Sequence, residues 1–239
     1  MDRDRGAGGL RSGHGRSKRG VHGGGICPVS DEDGHRSDGG WVDGLVAQRP
    51  EPARDGTPPV RADLVRILEA ATTVPDHGGL RPWRFAVISR EGRDAFGDAL
   101  VAGLHDQRGP DLPEAVVVKM RGKAFAAPCA VMVIASTDPS SNVAVWEQVA
   151  SASCTGYAMV LAATGLGCGA VWKSAPVLES DPVRSLFGLG EHEQLLGWVN
   201  LGSPAPLSRK KAAPGRADLG RLVSVIGGDR QPLAELLDP

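Results

Sequence analysis

Pro75-Asp76-His77-Gly78-Gly79-Leu80-Arg81-Pro82-Trp83-Arg84-Phe85 joins a helix stop to a glycine-softened turn and then to the entry of a strand. Pro75 has no amide with which to continue a preceding helix, and the Gly78-Gly79 pair opens backbone conformations closed to other residues. Pro82 biases Arg81 toward extended geometry, so Trp83-Arg84-Phe85 is predicted to enter a β-run. One histidine, two arginines and a tryptophan in so short a loop supply planar faces and hydrogen-bond donors. That is the equipment for holding a flat, anionic ligand.

Working outward, Leu64, Ile67, Leu68 and Ala71 fall at helical spacing, and Pro75 is expected to end that helix. On the other side, 85–88 reads as a short strand, followed by an amphipathic helix near 91–104. Gly109, Pro110 and Pro113 mark 105–113 as a surface loop, and 114–125 looks helical despite three valines. The run 130–135 is apolar on both faces, which predicts a central strand. Residues 145–165 form a long helix rich in Ala, Ser, Gly and Met, able to pack closely on a sheet or a second subunit. Gly165 and Gly167 stop it, and 168–172 is another short strand. A helical stretch with Val183, Leu186 and Phe187 follows Pro176, and 195–201 makes the last core strand. Strands interleaved with helices predict a mixed α/β sandwich.

With 239 residues, 41% of them hydrophobic, the chain can bury one substantial core. A formal net charge of −1 gives no argument for a nucleic-acid partner. Cysteines at 27, 129, 154 and 168 form no Cys-x-x-Cys pair, so reduced thiols are expected rather than a zinc site or a disulfide framework. No apolar run approaches the roughly 20 residues of a membrane span, and no apolar leader opens the chain. A soluble, cytoplasmic protein without a membrane partner is the expectation.

Residues 1–44 are rich in Gly, Arg, Ser and His and read as a disordered arm with a basic start. His14, His22 and His35 fall in it and are read as solvated, not as metal ligands. A further expectation is that the native protein begins near Val42 and that the arm is a gene-start artefact. The folded domain is expected over 45–207. A C-terminal extension over 208–239, with an apolar patch at 222–226, is expected to pack on a partner subunit.

Several chemistries are excluded. The glycines at 165, 167 and 169 stop short of Gly-x-Gly-x-x-Gly and follow a helix instead of a strand, the reverse of a dinucleotide fingerprint. The chain contains no Gly-Lys-Ser/Thr of a phosphate loop and no Gly-x-Ser-x-Gly elbow. Asp76-His77 taken alone serves a proton relay or simply satisfies backbone groups.

The blocks nonetheless have an order. The helix from Leu64 to Ala71, Pro75-Asp76-His77, Pro82-Trp83-Arg84-Phe85, Trp146-Glu147-Gln148, the turn into Trp172-Lys173-Ser174 and the run from Gly197 to Gly202 together resemble the FMN-dependent nitroreductase superfamily, in its short NAD(P)H nitroreductase branch. The resemblance covers about 42–207. It implies an α+β fold, a mixed sheet flanked by helices, in a homodimer with one FMN in each of two clefts at the subunit interface. It also implies hydride transfer from NAD(P)H through the flavin to a nitroaromatic, quinone or similar small-molecule acceptor. The flavin carries that chemistry, so no dedicated catalytic side chain is required.

The resemblance implies site residues too. Gln48, Arg49 and Pro50 stand where the family has an Arg-Arg-Ser clasp on the phosphate and polar ring edge, and Thr73 replaces a further arginine. Each Arg–phosphate bond lost is worth about 1.5–3 kcal/mol. His77 aligns with a histidine at the phosphate or ribityl side of FMN. Trp172, Lys173 and Ser174 align with Trp-Arg-Ser, where lysine keeps the charge but loses the bidentate fork. Ala162, Ala163, Thr164, Gly165, Leu166 and Gly167 align with nicotinamide nucleotide contacts. Trp83 and Phe85 are assigned to core packing, and Trp146-Glu147-Gln148 to ordering the start of the long helix. An alternative follows from the altered clasp: the same fold acting as a flavin-poor binding or sequestering protein.

Overall fold

A computed structural model describes residues 50–206 and 217–224; the expected arm, Gln48, Arg49 and most of the expected C-terminal extension lie outside the described residues. Among the described residues four strands form one sheet: β1 (Trp83–Ile88), β2 (Cys129–Ser136), β3 (Gly169–Lys173) and β4 (Glu193–Gly202). Its order is β1-β2-β4-β3, and each neighbouring pair is antiparallel. The helices are α1 (Arg61–Ala71), α2 (Arg93–Arg108), α3 (Glu114–Arg121), α4 (Val145–Gly165), α5 (Asp181–Leu186) and the short α6 (Leu219–Leu222). The fold is thus α+β, a sheet flanked by helices.

Over the four described strands the expected mixed sheet takes the form of an antiparallel ladder. The cause is topological. The α4 crossover leaves β2 and β3 running parallel, and β4 then inserts between them, so each meets an opposite neighbour.

Strand periodicity divides the core. Along β2, Ala130, Met132 and Ile134 face one layer and Cys129, Val131 and Val133 the other, as the two-residue repeat of a strand requires. The first layer packs on Phe96, Leu100 and Leu104 of α2, at helical spacing, with Met120 of α3 and Val183 of α5. The second packs on Ile67 and Ala71 of α1 and Met159, Val160 and Ala163 of α4. Trp198 anchors the first layer, its ring 5.2 Å from Phe96 in edge-to-face geometry. β2 is buried along nearly its whole length and inner in the sheet, as its composition predicts.

Element ends depart from expectation for local reasons. α1 stops at Ala71, before Pro75, because the Thr72 and Thr73 hydroxyls donate to the last carbonyls, Glu69 O at 2.7 Å and Ala70 O at 2.8 Å. α2 runs on to Arg108 and shortens the expected 105–113 loop, since Gly109, at φ +86°, takes the chain out of the helix and its N–H bonds back to His105 O. Arg81 is not extended: its φ is +49°. Its amide donates to Asp76 Oδ2 at 2.7 Å, and Gly78 and Gly79, at φ +76° and +68°, fold the loop so that this bond closes. That capture outweighs the proline bias.

Candidate functional site

The exit of β3 carries Trp172, Lys173 and Ser174 together, because the ladder with β4 holds Trp172 opposite Val199 and Lys173 opposite Trp198. A bulge shapes the surface beside them. Val133 pairs with Gly197 and Ile134 with Leu195, so Leu196 is the extra residue and lies on the same face as Trp172. Gly197 takes φ +113°, and a Cβ there would lie 2.4 Å from Lys173 O and 2.9 Å from Trp172 Nε1. On its other side the Trp172 ring rests against Gly156 of α4, where a Cβ would stand 2.9 Å from the ring. Two glycines thus seat one indole.

The result is a groove of about 250 Å³ lined by Trp172, Lys173, Ser174 and Leu196. An adjoining cavity of about 120 Å³ is lined by Lys123, Ala126, Lys173, Ser174, Trp198 and Asn200. Lys123 Nζ donates to Ser174 O at 3.3 Å, and Lys173 Nζ lies 3.6 Å from Glu51 Oε2. The indole Nε1 of Trp198 is buried with no hydrogen-bond partner among the described residues. Two ammonium groups, a hydroxyl and an aromatic wall suit a flat ligand with anionic oxygens.

Pro50 reaches this neighbourhood through a strap. Ala170 N donates to Pro50 O at 3.0 Å, Ala205 N to Glu51 O at 2.8 Å, and Ala53 N to Ser203 O at 2.8 Å. Gly169 allows the approach, since a Cβ there would lie 2.6 Å from Glu51 O. The strap therefore delivers the chain immediately after Gln48 and Arg49 to the edge of β3.

The other expected residues lie apart from the groove lining. Thr73 follows α1 with its hydroxyl engaged by Ala70 O. His77 stands in the Asp76–Arg81 loop, 69% exposed, with Nδ1 2.9 Å from Glu147 Oε2. The stretch 162–167 closes α4 and turns into the opposite end of β3 from Lys173; Ala163 is buried, and its carbonyl accepts from Cys168 N at 2.9 Å.

Some assignments change. Arg84, read as a ligand donor, faces Glu193 instead: Nε and Nη2 donate to its two carboxylate oxygens at 2.6 and 2.7 Å, and Nη2 donates also to Phe187 O at 3.0 Å. The Arg84 guanidinium holds the Glu193 carboxyl down at about 2. Gln148 does order the start of α4. Its side chain accepts from Asp138 N at 2.8 Å and donates to Asp138 O and Val143 O at 2.9 and 2.8 Å. Glu147 departs from that role by reaching back to His77, and Lys123 enters the cavity wall unannounced. Nothing in the spacing of either residue signals this; Lys123 precedes β2 by only a few residues but meets Ser174 through the sheet. Burial pushes the Cys129 thiol up, away from nucleophile chemistry.

Comparison with known proteins matches residues 55–203 to the nitroreductase family. The chain is 35% identical over 161 residues to "Putative NAD(P)H nitroreductase YdjA" of Escherichia coli (strain K12), spanning 67% of this chain and 86% of that protein. It is 34% identical over 146 residues to "Putative NAD(P)H nitroreductase" of Haemophilus influenzae, spanning 61% of this chain and 78% of that protein. Among solved structures, a nitroreductase-like family protein from Bacillus cereus superposes with a TM-score of 0.63 at 20% identity, over 78% of this chain and 96% of that one. The FMN and NADPH-dependent nitroreductase NfnB from sphigopyxis sp. strain HMH superposes with a TM-score of 0.60 at 18% identity, over 78% and 98%.

Proposed function

Since the chain belongs to the nitroreductase family, and is thereby an oxidoreductase, we propose that it works with FMN and NAD(P)H on a nitroaromatic, quinone or similar acceptor. The carrying observation is the exit of β3, where Trp172, Lys173 and Ser174 line one groove with Leu196. The donor set fits the cofactor: a planar aromatic wall, an ammonium and a hydroxyl meet the requirements of a flat ring with a phosphorylated polyhydroxyl tail. FMN, when bound, supplies the acceptance of hydride from NAD(P)H and its delivery to the acceptor. Lys173 and Ser174 would grip its polar side and Trp172 would cover it. Gln48, Arg49 and Pro50 would add the clasp, with Thr73 and His77 contributing from their loop and 162–167 receiving the nicotinamide nucleotide.

His77 and Thr73 are not among the residues that line the groove. A cleft shared by two subunits accounts for this, one protomer's loop completing the other's groove. The outer face of α4 favours such a homodimer: Trp146, Ala150, Cys154 and Tyr157 are exposed on one helical stripe, Trp146 at 71% and Tyr157 at 48%. No helix among the described residues is long and apolar enough to cross a membrane, and the cytoplasm is the proposed compartment.

The test is an absorption spectrum of the purified protein, with FMN titrated into any apo fraction. Flavin bands bleached by NADPH or NADH are expected, with retention weakened in His77→Ala and Lys173→Ala. A colourless protein that takes up no FMN would sink the reading. The flavin-poor alternative would then lead, favoured by the Glu51 carboxylate near Lys173 and the Thr73 hydroxyl already spent on its own helix.

A further inference from the structure

We infer that Glu147 is a positioning residue for His77, fixing the Nδ1–H form of its imidazole and turning Nε2 outward toward a hydroxyl or phosphate oxygen of the bound cofactor. The identity of that cofactor rests on the flavin reading above; the hold on the ring is local to this chain.

Glu147 Oε2 lies 2.9 Å from His77 Nδ1. An ionised carboxylate has no proton to give, so the ring nitrogen is the donor and the proton resides on Nδ1. The Glu147 side chain is 34% exposed and that of His77 69%, so the carboxylate sits on the inner side and the opposite ring edge meets the outside. Nε2 then accepts from a hydroxyl when the ring is neutral and donates to an oxyanion when it is protonated.

A second tether fixes the loop to the same helix. Ser151 Oγ donates to Pro75 O at 2.6 Å. Residues 147 and 151 lie about one turn apart on one helical face, about 6 Å along the axis at 1.5 Å per residue. Pro75 and His77 are two residues apart, about 6.6 Å if the chain is extended. The two spans match, so α4 grips the loop at both ends of that interval. The Asp76–Arg81 bond of 2.7 Å closes the loop beyond it. Gln148, the next residue, points inward to Asp138 and Val143, which leaves Glu147 as the residue of this turn that meets the loop.

The experiment combines nitrogen-15 spectra of the histidine rings, with His77→Gln identifying the signal, and FMN titration of the apo protein. Wild type is expected to show His77 in the Nδ1–H form. Glu147→Ala is expected to release the ring into both forms and to raise the Kd for FMN about 5–30-fold, the equivalent of one hydrogen bond to a charged group or somewhat less. Glu147→Gln, whose amide oxygen still accepts, is expected to recover the Nδ1–H form and most of the affinity. In a His77→Ala background, Glu147→Ala is expected to change nothing further. An unchanged ring form in Glu147→Ala overturns the inference, and so do losses that add in the double variant. Should wild type bind no FMN, the flavin reading falls separately, and the ring spectra alone decide whether Glu147 sets His77.

Discussion

Gly197 meets two demands at once, a backbone φ of +113° and a Cβ position already occupied by Lys173 O and Trp172 Nε1. Gly197→Ala is therefore expected to cost about 2–4 kcal/mol, combining left-handed strain with overpacking, and to displace Trp172 from its seat. Urea unfolding measures the first effect and flavin retention the second; an alanine variant with wild-type values for both would refute the account. Arg84 and Glu193 carry a different expectation. The Glu193 carboxyl is depressed to about 2 from an ordinary 4.5. Its stabilising share is present in full above about pH 4.5 and disappears as pH falls through about 2. Glu193→Gln should thus lower stability near neutrality by about 1.5 kcal/mol, the low end for a charged bond given the part-exposed arginine, and flatten the acid limb. Urea midpoints measured across pH 2 to 7 check it. The residue types of the site were legible in the chain, but partners were not. Arg84 and His77 sit seven residues apart in one motif, and only the ladder and α4 determine that one closes on Glu193 and the other on Glu147.

The 145–165 helix was legible end to end, because its length and small-residue composition leave no competing reading. β2 was equally plain, with almost every residue apolar. Strand neighbours were a different matter: no local feature of 193–202 announces that it inserts between β2 and β3, since pairing is decided by contacts far apart in sequence. The end of α2 was obscured by Gly109, Pro110 and Pro113, whose turn signal spread backward over a last helical turn held by packing. α4 also owes its starting point to one side chain. Gln148 is 1% exposed and bridges Asp138 and Val143, while Ala144, at the N-cap, offers no side-chain oxygen. Gln148→Ala leaves those backbone groups without partners and is expected to cost about 2–3 kcal/mol. For a chain of this size that lowers Tm by about 4–12 °C, with faster proteolysis in 138–143 as the local signature.

At the scale of the whole molecule, the proposed homodimer would join assembly to cofactor retention through the α4 stripe. Trp146→Glu introduces a charge on the exposed apolar face and is expected to shift the mass in light scattering from dimer to monomer. If the cleft is shared, flavin is lost in the same variant although Lys173 and Ser174 are untouched. A monomer that keeps its flavin would show that one chain suffices. The strand order has a consequence for biosynthesis. Of the four described strands β4 is the last to leave the ribosome, and β2 and β3 have no described strand between them until it arrives. A nascent chain that has reached residue 192 therefore exposes the inner edge of β2, a row of unpaired amides and carbonyls flanked by apolar side chains. The interval between the emergence of β2 and that of β4 is then expected to be the aggregation-sensitive one, in which a chaperone that covers the open edge would raise yield.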